Sequence, residues 1–113
     1  MVPVTPATLK ATYDWLLHFP PFSRWKLPPA RKITFYVTDY VSEWAQFDCD
    51  KMTLRVSTAG VGSYDMLIKV MAHEMIHVRE HVSGKWAHKH DSAFFKQARA
   101  MVCKHFGFDS LTF

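Results

Sequence analysis

From Ser63 to Val82 apolar residues recur at helical spacing, at Met66, Leu67, Val70, Met71, Met75 and Val78. Ser63 supplies a cap at the start of that run, and Gly84 a stop just beyond its end. A helix with so strong an apolar face needs a surface to pack on, and a chain of 113 residues is enough to build one compact domain around it. The same helix carries His73-Glu74-Met75-Ile76-His77, and six of the seven histidines lie between His73 and His105. That concentration of imidazole marks the segment where chemistry is expected.

The elements around this helix can be read from local pattern. Thr5-Pro6 reads as a cap followed by a proline in the first turn, and Leu9, Tyr13, Leu16 and Leu17 continue a helix that should stop before Pro20-Pro21. The stretch after it, with Phe22, Trp25 and Leu27, is apolar enough to lie over a core, and its aromatic residues are expected to be core cover. Between Lys32 and Asp39 the residues Ile33, Phe35 and Val37 alternate with Thr34, Tyr36 and Thr38, the pattern of a half-buried strand. Ser42–Phe47 is a weaker strand, Asp48-Cys49-Asp50-Lys51 has turn chemistry, and Met52 to Ser57 alternates again. After a polar loop, Asp91 or Ser92 caps a last helix through Phe94, Phe95, Ala98, Met101, Val102 and His105, closed by Gly107. The order predicts an α+β fold: a small antiparallel three-stranded sheet packed with an N-terminal helix, a central helix and a C-terminal helix.

Composition narrows the class. At 49% hydrophobic and 21% charged residues, the chain is too apolar for disorder and too charged for a membrane protein. No basic stretch followed by an apolar core opens the sequence, so no signal peptide is expected and the expected compartment is the cytoplasm. Cys49 and Cys103 are too few for a disulfide scaffold and suit a reducing setting. The net charge of +4 is modest. Most basic residues form two groups: Arg24, Lys26, Arg31 and Lys32, then Arg79, Lys85, Lys89, Lys96, Arg99 and Lys104. The second group would rim the histidine segment, as a solvated surface or as a contact for a DNA backbone.

Chemistry enters with the spacing of the histidine pair. Four residues advance a helix by about 400°, so His73 and His77 share a face one turn apart and can reach one zinc ion at about 2.0–2.1 Å. Glu74 stands one residue round, near enough to hold a water on the metal without becoming a ligand itself. A bound zinc lowers the pKa of its water to about 7, and a carboxylate can take the proton as that water attacks a carbonyl. His-Glu-x-x-His is the arrangement this reaction needs. The bland alternative is a pair of surface histidines near a helix C-terminus, where the dipole favours their charged form.

Several neighbouring registers can be weighed. His77-Val78-Arg79-Glu80-His81 spells the inverted motif, but His73 and His81 lie about 12 Å apart along the axis and cannot serve one metal. Inverted-motif and thermolysin-like sites also need a further glutamate downstream, and none follows Glu80. The metzincin pattern would place glycine at position 80 and histidine at 83, where Glu80 and Ser83 stand. His81 is therefore expected at the surface or behind a ligand. His81, His88, His90 and Asp91 remain as candidates for a third ligand. Tyr64 or a leftover histidine could donate to an oxyanion.

The segments Met52-Thr-Leu-Arg-Val-Ser57, Leu67-Ile-Lys-Val-Met-Ala-His-Glu-Met-Ile-His77 and His90-Asp-Ser-Ala-Phe94 resemble the SprT-like metallopeptidases. The resemblance extends to the first helix and the Phe22–Pro29 stretch, with Asp91 standing where the family has glycine. It implies a zincin-like fold and zinc held by His73, His77 and His90, with Glu74 as general base. It also implies a protein or peptide substrate lying along the Met52–Ser57 strand as a sheet edge, and a possible action on DNA-associated proteins. Cys49 and Cys103 form no C-x-x-C pair of the kind that builds the family's zinc ribbon. The reading from another class is a non-catalytic module that keeps zinc for folding and binds protein or DNA.

Overall fold

The computed structural model describes residues 4–39, 44–59, 61, 63–84, 90, 92–109 and 113. Helix α1 spans Pro6–Leu16, and Thr5 and Thr8 cap it reciprocally, each side-chain oxygen accepting the other's backbone N–H at 3.1 and 2.8 Å. It ends at Leu16 with Leu17 as its C-cap, before Pro20-Pro21 as its pattern predicts. Leu9, Tyr13 and Leu16 form its buried stripe. The Tyr13 hydroxyl donates to the Pro28 carbonyl at 2.7 Å, tying the aromatic connection to the helix. In that connection Phe22 is buried and Trp25 packs edge-on against it, so the expected core cover is found. Tyr13→Phe should lower unfolding free energy by about 1 kcal/mol, read from the urea midpoint. An unchanged midpoint would mean that water serves the Pro28 carbonyl as well as the phenol does.

The sheet has strands β1 (Thr34–Thr38), β2 (Ala45–Asp48) and β3 (Thr53–Ser57), in the order β1-β3-β2. β2 and β3 form an antiparallel hairpin. Its turn is built as read, with the Asp48 carboxylate accepting from the Asp50 and Lys51 amides at 3.0 and 3.3 Å. β1 pairs with β3 in parallel, Thr34 opposite Thr53 and Thr38 opposite Ser57. The sheet is thus mixed, which corrects the antiparallel expectation. Alternation specifies which face of a strand is buried, whereas pairing direction depends on where the chain carries it next. Here the run from Asp39 to Met52 serves as the crossover that a parallel pair requires. A second correction follows: the Met52–Ser57 segment is flanked on both sides and is the centre of the sheet, not an edge. Phe35, Phe47, Leu54 and Val56 face inward, while Tyr36, Arg55 and Gln46 form a cross-strand row outside, with the Arg55 guanidinium donating to the Gln46 side chain.

Helix α2 (Tyr64–Val82) packs between this sheet and the other helices, touching β2, α1 and α3. Ser63 caps its first turn and Gly84, at φ +71°, follows its end. Helix α3 (Ala93–Phe106) starts from the Ser92 cap and stops at Gly107, whose φ of +77° lets its N–H reach the Cys103 carbonyl at 2.8 Å. Cys49 and Cys103 are free thiols. Among the described residues no helix is long and apolar enough to cross a membrane.

Candidate metal centre

The middle of helix α2 is enclosed by the fold. From Val70 to Glu80 every residue is buried except His73 and Arg79, which are half-buried. Met71, Met75, Ile76 and Val78 account for that burial on apolar grounds. Glu74, His77 and Glu80 do not. Polar groups enclosed in this way require partners, so their arrangement is informative.

His73 and His77 stand one turn apart with ring centroids 5.2 Å from each other. His90 reaches them from the stretch leading into α3, its ring centroid 4.9 Å from each. The Ser92 hydroxyl, accepting from the Phe95 amide at 3.1 Å, anchors that stretch. One ring nitrogen from each histidine falls within 4.8 Å of the other two, close enough to hold a metal ion. His77 Nε2 and His90 Nε2 are 3.0 Å apart. Two ligands of a tetrahedral zinc at about 2.0–2.1 Å would be separated by roughly 3.3 Å, so small side-chain adjustments admit the ion. Phe95 forms the wall, its ring centroid 5.4, 5.1 and 5.1 Å from those of His73, His77 and His90. Phe113 covers His73 from a further side at 5.5 Å.

The electrostatics fit a cation. Burial lowers the pKa of His73 to about 4; nearby His90 adds to this and a hydrogen bond to the Phe113 backbone opposes it. The ring is therefore neutral at neutral pH and keeps a lone pair for a metal. Glu74 places Oε2 4.0 Å from His73 Nε2, outside the three-histidine group yet beside it. Glu80, fully buried, puts Oε1 2.7 Å from His77 Nδ1, and burial pushes its carboxyl up to about 7.

Of the residues singled out from sequence, the structure brings His73, Glu74, His77 and His90 together. His81 lies over the Phe47 ring at 6.2 Å, away from the cluster. Tyr64 is exposed at the start of α2, about 13 Å along the axis from His73, and does not reach the site. His18 and His105 are exposed at helix ends. His88, Asp91, Lys85 and Lys89 lie outside the described residues. Arg79, expected in a basic rim, instead stacks between Trp25 at 4.3 Å and Phe94 at 4.7 Å. Sequence reasoning missed two participants, Glu80 and Phe95. The Glu80 signal was available in the His77-to-Glu80 spacing of three, which puts both side chains on one helix face. Phe95 carried none, since it reads as any other apolar position of α3.

No protein-family model, curated protein or solved structure matches this chain.

Proposed function

We propose that this chain is a zinc-dependent metalloendopeptidase of minimal, zincin-like build, related in its motifs to the SprT-like enzymes. The observation that carries the reading is the convergence of three imidazole nitrogens within 4.8 Å of one another, with the Glu74 carboxylate 4.0 Å from His73. His73, His77 and His90 would hold the ion, an all-nitrogen set that suits zinc and leaves a fourth position open. A bound zinc would supply Lewis-acid activation of a water and of the scissile carbonyl. Glu74 accepts the proton of the attacking water and returns it to the departing amine nitrogen. Phe95 and Phe113 restrict solvent on their side of the site, which strengthens the charge interactions within it.

An extended peptide bound by strand addition would meet β2, the outer strand that contacts α2, rather than the central β3. A DNA-directed role would draw on Lys96 and Lys104, which are exposed, because Arg79 is engaged with two aromatic rings. The test is proteolysis of an unfolded protein by zinc-loaded material, with and without DNA. New peptide termini should appear, vanish on chelation and return with added zinc. Zinc-loaded protein that leaves every substrate intact would favour the binding module, with zinc kept for folding.

A further inference from the structure

Glu80 is a costly residue for its position. Its side chain is fully buried, and Oε2 has no hydrogen-bond partner among the described residues. Carboxylates are rarely enclosed to this degree without a compensating interaction, and a half-satisfied one destabilises the fold around it. Among the described residues its side chain makes a 2.7 Å hydrogen bond between Oε1 and His77 Nδ1, three residues earlier on the same helix face. With Nδ1–H donating to Oε1 across this distance, the imidazole keeps its lone pair on Nε2. Nε2 is also the nitrogen that faces His90 Nε2 at 3.0 Å. The bond therefore selects the tautomer, and fixes the ring orientation, that a metal between His77 and His90 would need.

We infer that Glu80 is a positioning residue of the metal centre, acting through His77 rather than touching metal or substrate. The inference rests on the metal-centre reading above. It assigns Glu80 two effects: it holds His77 Nε2 unprotonated, and it fixes the ring and raises the basicity of that nitrogen by accepting the Nδ1–H behind it. The overlapping His77-to-His81 motif is accounted for in the same way, with its glutamate serving the ligand it follows.

The test measures zinc affinity by chelator competition in wild type, Glu80→Gln and Glu80→Leu, with the unfolding temperature of each metal-free protein as the control for folding. Removing such an outer partner costs about 10–100-fold in affinity, so Glu80→Leu should bind zinc within that range more weakly. Glu80→Gln keeps an oxygen that can accept from Nδ1 and should lose less than Glu80→Leu. A purely structural role would lower the metal-free unfolding temperature while leaving the affinity of folded protein within twofold of wild type, and that result overturns the inference. Nitrogen chemical shifts of the imidazoles in metal-free wild type give a reading independent of any variant. They should place the His77 proton on Nδ1, and a proton on Nε2 would refute the assignment even if Glu80→Leu does not fold. Absence of zinc binding by wild type would refute the metal-centre reading itself.

Discussion

Glu74→Gln should keep the zinc content of wild type and lose peptide cleavage by at least about 10²–10⁴-fold, the usual contribution of a positioned general base. Both halves follow from where Glu74 sits. Its carboxylate is outside the group of three histidine nitrogens and 4.0 Å from His73 Nε2, near enough to meet a water on the metal. Glutamine matches its shape but does not take up a proton at neutral pH. Because Glu74 is buried, a smaller residue would open a cavity and confuse loss of chemistry with loss of fold, so the isosteric change is the informative one. Elemental analysis and a cleavage assay on the same preparation decide the matter. Equal cleavage by wild type and Glu74→Gln would sink the mechanism.

The second large effect concerns the ligands. His90→Ala should lower zinc affinity by more than about 100-fold, beyond the range expected for an outer partner such as Glu80. His73→Ala and His77→Ala should act alike, since each removes one of three nitrogens that meet within 4.8 Å. His81→Ala and His105→Ala should retain zinc, because His81 packs near Phe47 and His105 is exposed on the last turn of α3. His88→Ala is the matched control two residues from His90 and should also retain it. Zinc lost from His88→Ala and kept by His90→Ala would replace the third ligand assigned here. His90 is exposed, so its removal leaves the core packing untouched and the metal loss can be read without a folding defect.

Much of this protein follows from rules that operate within one turn of helix or one strand. The 3.6-residue period and the Ser63 cap define α2, and the spacing of four between His73 and His77 puts both on one face wherever that helix packs. Ser92 and Gly107 bound α3 by capping chemistry alone. The inward set Phe35, Leu54 and Val56 is likewise visible as alternation. These features involve neighbours close in sequence, whose geometry the backbone dictates before any tertiary contact forms.

Tertiary structure decided what joins distant segments. The parallel pairing of β1 with β3, and hence the central place of β3, depends on the route of the chain between them rather than on either strand's pattern. The approach of His90 to His77 depends on how α3 packs against α2, and no local period encodes that distance. Arg79 was legible as a surface charge, yet the rings of Trp25 and Phe94, remote in sequence, enclose it. Glu80 is the clearest case. Its spacing from His77 is local, but only burial on every side makes a carboxylate there costly enough to require a partner, and burial is set by the whole fold.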